Sequence, residues 1–212
     1  MFHTHRRTGR ISIVILACLF PVLFPLHVRG SETGPLDQVR DILNQVMAIQ
    51  TDPKTAGSAH REERKKAIKT VILKNFDMDR MAEDALGDYW QKLANYQKAE
   101  FAAVFRDLFQ DSYTRLVLDF LKQERIGYSP EEPKDGEALV KTVILRPNEN
   151  IPVGYLLERM NGRWLVHDVI IDGVSIIRKY RSSFTRVIMK TSYSVLLEKM
   201  RLQQKAIHEN PD

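Results

Sequence analysis

The chain has 212 residues, 32 basic against 27 acidic, and a formal charge of +5 at pH 7. Its single cysteine, Cys18, excludes an internal disulfide, so the fold has to rest on its core. Four arginines and no acid fall in residues 1–30; the remainder carries only +1, which lacks the basic excess of nucleic-acid binders.

Residues 1–30 read as a cleaved export signal. Arg6, Arg7 and Arg10 precede the apolar run Ile11 to Leu26, and Gly30 is the expected last residue removed. The run has 16 residues, short of the ~20 that span a bilayer, and contains Pro21 and Pro25. An uncleaved anchor is the rival reading, and a lipoprotein signal ending at Cys18 fits less well because Leu16 is bulky. Removal of this leader takes Cys18 with it and leaves no thiol for catalysis. About 180 residues remain, enough for one domain with a good core.

That domain is expected over 31–206, with a frayed tail at 207–212. Leu36 to Gln50 has helical apolar spacing, with Pro35 just before it. Thr51 to Gly57 is a loop, and Ser58 opens a second helix reaching Phe76, whose charged start is a solvated face. Asp77 or Asp79 caps a short helix ending at Gly87, and a further helical piece carries Tyr89 and Trp90. Gln97 to Leu121 is the longest predicted helix, with Phe101, Phe105, Phe109 and Tyr113 among its apolar positions.

From Gly127 the period changes. Strands are predicted at Glu137 to Arg146, Val153 to Met160 and Arg163 to Ile171, with Asn161-Gly162 as a hairpin turn and Asp172-Gly173 ending the sheet. Strict alternation sets Trp164, Val166, Asp168 and Ile170 on one face, and Leu165, His167, Val169 and Ile171 on the other. Ser175 caps a helix through Phe184 and Ile188, and a last helix covers Ser194 to Lys205. Helices, then an antiparallel sheet, then closing helices define an α+β domain.

Nothing in the chain nominates catalysis. His60, His167 and His208 stand at no metal-ligand spacing, and there is no phosphate loop or nucleophile elbow. The excess of apolar and aromatic faces fits either a filled core or a cavity between helices and sheet; the same residue types serve both. Arg178, Lys179, Arg181 and Arg186 form either a solvated helix face or a cationic rim for a phosphate.

The run Arg163-Trp164-Leu165-Val166-His167-Asp168-Val169-Ile170-Ile171-Asp172-Gly173-Val174-Ser175, followed by Tyr180-Arg181-Ser182-Ser183-Phe184, resembles the signature of the MlaC family of periplasmic phospholipid-binding, toluene-tolerance proteins. Every fixed position of the approximate pattern W-x-V-x-D-V-x-I-x-G-V-S and Y-R-x-x-F is matched, and the likeness extends over about residues 35–205. It implies several helices packed on a strongly twisted antiparallel sheet, with acyl chains between the layers and no catalytic residue or cofactor. It also implies a monomeric shuttle that exchanges phospholipid with an inner-membrane ABC transporter bearing an MCE-domain protein and with an outer-membrane lipoprotein complex. A related branch leaves open another lipid, such as a hopanoid, and an adaptor with a filled core is the non-lipid alternative.

On this reading the cavity lining comprises Phe105, Phe109, Tyr113 and Leu116 from the long helix. The strands contribute Val143, Tyr155, Leu157, Trp164, Val166, Val169 and Ile171. Val174, Ile177, Tyr180 and Phe184 follow, and Arg178, Lys179 and Arg181 form the headgroup rim.

Overall fold

The computed structural model describes residue 1 and residues 33–121, 123–130 and 133–209. The expected leader and residues 210–212 therefore lie outside the described residues, apart from Met1. The first helix, α1 (Pro35–Thr51), buries Val39, Ile42, Leu43 and Val46, a helical stripe along one face. Helix α2 (Arg61–Asn75) starts after a short 3₁₀ turn at Ser58–His60 and buries Ile68, Val71 and Ile72. Its charged start is more engaged than a solvated face: Arg61 pairs with Asp119 at 3.0 Å, and Arg64 donates to the carbonyls of Thr55 and Gly57.

Of the two candidate caps for α3 (Met78–Leu86), Asp77 is the one used; its carboxylate accepts from the Arg80 amide at 3.0 Å. Gly87 ends the helix with φ of 60°, and the Arg181 side chain lies so close that a Cβ there would sit 3.3 Å from it. Position 87 thus needs glycine for its conformation, while a Cβ would only crowd the flexible Arg181 side chain. A 3₁₀ segment (Gly87–Lys92) leads to α4 (Asn95–Phe120). This helix starts two residues before the predicted Gln97, whose side chain folds back to accept from the Ala94 amide at 3.0 Å.

Five antiparallel strands follow in sequential order: β1 (Arg125–Tyr128), β2 (Glu137–Leu145), β3 (Asn150–Met160), β4 (Arg163–Ile171) and β5 (Val174–Ser175). Strand β1 was not predicted; four residues interrupted by Gly127 give too short a pattern. Asp172-Gly173 does not end the sheet but turns it into β5. At Asp135-Gly136, Asn161-Gly162 and Asp172-Gly173 both residues have positive φ, from 49° to 81°, which is the two-residue hairpin conformation that Asn-Gly and Asp-Gly favour. Two helices close the chain, α5 (Ile176–Lys190) and α6 (Tyr193–Glu209). Helix α6 continues three residues past the expected domain end at 206.

The predicted alternation along β4 fails at one point. Leu157 pairs with Val166 but Leu156 pairs with Asp168, so His167 is an extra residue in a β-bulge. The bulge resets the parity. Val166, Val169 and Ile171 pair with Leu157, Tyr155 and Val153, and all six face the helices. The carbonyl of Val166 turns to accept the Asp77 amide at 2.9 Å, joining the α2–α3 corner to the sheet.

His167 itself is buried beside Arg80. Burial lowers its pKa from the ordinary 6.5; the Arg80 guanidinium lowers it further, and Asp84, Asp168 and Glu137 oppose. The unfolded chain therefore takes up this proton at higher pH than the native one. Stability from this group is complete above about pH 6.5 and is lost as pH falls toward the lower native value. In denaturant titrations run from about pH 7.5 to about pH 5, His167→Gln is expected to lose less stability than the parent. Parallel losses in the two proteins would remove this role.

Candidate functional site: an apolar cavity between helices and sheet

The aromatic residues of α4 divide the interior into two halves. Phe101, Phe105, Phe109 and Tyr113 recur every fourth position, so their rings lie one above another along a single face. Successive centroids are 6.1, 6.0 and 5.4 Å apart. From α5, Phe184 meets Phe101 edge-on at 5.9 Å and Tyr180 meets Phe105 edge-on at 5.4 Å. Such contacts fill space at interior density and add to burial. The N-terminal half of α4 is therefore solid core.

The column ends at Tyr113, where Phe76 closes against it with centroids 5.5 Å apart. Beyond this pair the layers part around a cavity of about 270 Å³. Its helical wall is made by Ile42, Leu43 and Val46 of α1, Val71 and Ile72 of α2 with Phe76 just after it, and Tyr113, Leu116, Val117 and Phe120 of α4 with Leu121 just after it. Its sheet wall is Ile144, Ile151, Val153, Tyr155 and Ile171. Every described wall residue is aliphatic or aromatic, and the only side-chain polar atoms are the hydroxyls of Tyr113 and Tyr155. Burial lifts both phenols well above the usual 10.0, so the wall stays uncharged. Phe120 is 50% exposed and marks the open side.

Sequence reasoning placed four of its lining residues on this wall: Tyr113, Leu116, Tyr155 and Ile171. Phe105, Phe109, Ile177, Tyr180 and Phe184 belong to the packed half instead, because α5 fills the space along the aromatic column. Leu157, Trp164, Val166 and Val169 are buried in the core and do not border the cavity. Val143 pairs with Pro152 and so faces away from the helices, opposite to Thr142 and Ile144. Val174 is 56% exposed at the sheet edge.

The predicted rim is displaced as well. Arg178 and Lys179 line a shallow groove with Val174 and Arg186 that shares no residue with the cavity. Arg181 donates to the Asp84 carbonyl at 2.5 Å, tying α5 to α3. The walls from α1 and α2 were missed as site residues. Their apolar spacing was legible, but spacing gives the buried face of a helix and not whether that face meets atoms or a void. Among the described residues no group of three or more His, Cys, Asp or Glu side chains is placed to hold a metal ion, and no helix is long and apolar enough to cross a membrane.

A solved structure shares this fold. The phospholipid-binding protein from Ralstonia solanacearum, solved in complex with a phospholipid, superposes with a TM-score of 0.70 at 20% identity, covering 82% of this chain and 98% of that one. That likeness concerns the fold. The intermembrane phospholipid transport system binding protein MlaC of Haemophilus influenzae is 19% identical over 139 residues, 63% of this chain and 65% of that protein, so the match spans just under two thirds of its length. The toluene tolerance protein ttg2D of Pseudomonas putida is 25% identical over 174 residues, 79% of this chain and 78% of that protein. The family model described as MlaC protein matches residues 40–202, from the second turn of α1 into α6, and the chain accordingly belongs to the MlaC family.

Proposed function

We propose that the protein is a periplasmic phospholipid carrier. The observation that carries this reading is the uncharged cavity between the helices and the sheet, open at Phe120. The names of the Haemophilus influenzae relative and of the Ralstonia solanacearum protein support it, since both refer to phospholipid. On this reading residues 1–30 direct export and are removed, and residues 31–206 act as a monomer without catalysis. The domain receives and delivers lipid between an inner-membrane ABC transporter with an MCE-domain protein and an outer-membrane lipoprotein complex.

The physical case is one of matched solvents. Each buried methylene is worth about 0.8 kcal/mol, so a sixteen-carbon chain needs a compartment that returns on the order of 12 kcal/mol. An uncharged hydrocarbon wall does this without binding so tightly that cargo cannot leave. A volume of about 270 Å³ lies just under the roughly 300 Å³ at which pockets begin to hold drug-sized ligands. Two acyl chains therefore require the layers to part further. Among the described residues few polar links bridge them at the open side: Arg40 lies 5.1 Å over the Tyr128 ring, and Arg146 donates to the Phe120 carbonyl. Both are surface contacts, of the class worth at most about 1 kcal/mol each.

Native mass spectrometry of protein purified from a periplasmic fraction is expected to show a bound phospholipid mass that returns after delipidation and incubation with liposomes. Recovery of lipid-free protein alone, with no uptake from liposomes, would count against the carrier reading.

A further inference from the structure

The open side of the cavity adjoins a wide, charged crevice of about 850 Å³. The two share a wall. Leu118 and Leu145 line the crevice, while their neighbours Val117, Leu121 and Ile144 line the cavity. Four guanidinium groups border the crevice, from Arg61, Arg64, Arg125 and Arg146, against two carboxylates, Asp119 and Glu124. Both carboxylates are already ion-paired, Asp119 with Arg61 at 3.0 Å and Glu124 with Arg146 at 3.5 Å. Arg64 is held by backbone carbonyls, which leave its charge uncompensated.

Arg146 links the two spaces. Its guanidinium lies 5.6 Å over the exposed Phe120 ring at the cavity mouth, and its Nε is buried without a hydrogen-bond partner. A buried N–H of this kind costs free energy until an acceptor reaches it. The crevice thus offers net positive charge and planar donors beside the hydrocarbon wall, with Arg146 reaching over the ring at the cavity mouth. Guanidinium groups match phosphate oxygens in pairs of parallel hydrogen bonds.

We propose that this crevice binds the phosphate of an anionic glycerophospholipid whose acyl chains occupy the cavity; this rests on the carrier reading above. The headgroup is selected for net negative charge. A zwitterionic headgroup places an ammonium in a field where the available carboxylates are already paired. The basic rim expected from sequence lies on α5, whereas the crevice uses α2, β1 and the end of β2.

The test is competitive loading from vesicles containing equal phosphatidylglycerol and phosphatidylethanolamine, with bound lipid read by mass spectrometry. Both lipids come from one surface, so vesicle attraction cannot sort them. The parent protein is expected to favour phosphatidylglycerol by about fivefold at low salt, as a few exposed ion pairs allow, and less at high salt. Arg125→Glu, at an exposed position on β1, is expected to abolish the preference by lowering phosphatidylglycerol loading to the phosphatidylethanolamine level or below. Equal loading of the two lipids by the parent protein, or an undiminished preference in Arg125→Glu and in Arg146→Gln, overturns the proposal. Inorganic phosphate is expected neither to bind the delipidated protein nor to displace lipid. Arg125-dependent binding of inorganic phosphate alone would make the crevice a free-anion site and also overturn it. Absence of any lipid uptake by the parent protein is a different result, which removes the carrier reading itself.

Discussion

Tryptophan at both Ile151 and Ile171 is expected to deplete the protein of bound phospholipid while leaving it folded. The two side chains enter the cavity from the sheet, paired with Ile144 and Val153. Both are only partly buried, so larger rings have room to grow into the void instead of into packed neighbours. Each methylene kept out of the cavity forfeits about 0.8 kcal/mol, and excluding only two lowers affinity by about fifteenfold. The indoles gain burial themselves, so resistance to urea should hold or rise. Val143→Trp is the matched control, on the opposite face of the same sheet. Lipid uptake from liposomes measured for the three proteins decides the matter. If Val143→Trp loses as much lipid as the double variant, the cavity is not where the chains go.

Asp168→Ala is expected to cost about 3 kcal/mol of folding stability, the sum of two hydrogen bonds to a buried charge less what water recovers. The carboxylate accepts from the Ser175 hydroxyl at 2.5 Å and from the Ile177 amide at 3.2 Å. Ser175 in turn accepts from the Arg178 amide at 3.0 Å as the cap of α5. Alanine at 168 strands a buried hydroxyl and a helix N-terminal amide together, and removes a negative charge from the positive end of the helix. Ser175→Ala removes the cap and one of the two hydrogen bonds to Asp168 but leaves the Ile177 amide bonded, and should cost less, about 2 kcal/mol. Urea midpoints of the two variants test the order; equal losses, or an Asp168→Ala protein as stable as its parent, would mean that the network does not hold α5 to the sheet.

This network shows what sequence could and could not reveal. Ser175 as a cap and Asn161-Gly162 as a turn were legible because each depends on a few adjacent residues. Asp168 read only as one position on a strand face shared with Trp164, Val166 and Ile170. Its role depends on the bulge at His167, and bulges are set by what packs against a strand. The same bulge explains why strict alternation separated Val166 from Val169, which in fact share a face. The α+β class and all but the shortest strands, β1 and β5, followed from periodicity. The cavity did not, because Phe105 and Val117 lie on one helix with similar spacing, yet Phe105 meets rings from α5 while Val117 borders a void. Which of these applies is decided by α5, more than sixty residues away.

The sequential order of the five strands has a kinetic side. Each strand pairs with the one before it; the β3–β4 and β4–β5 connections are two-residue turns whose residues already prefer the required conformation, and Asp135-Gly136 makes a similar turn just before β2. Ladders of this kind close small loops, which costs little entropy and keeps the search short. A chain without a disulfide gains from such a topology, since no covalent link can hold a half-formed sheet while distant segments are found. The sheet can form first as a local meander, with the hydrophobic face of α4 then settling on it. The last region to consolidate would be the end of α4 beyond Tyr113, where the layers have least to grip.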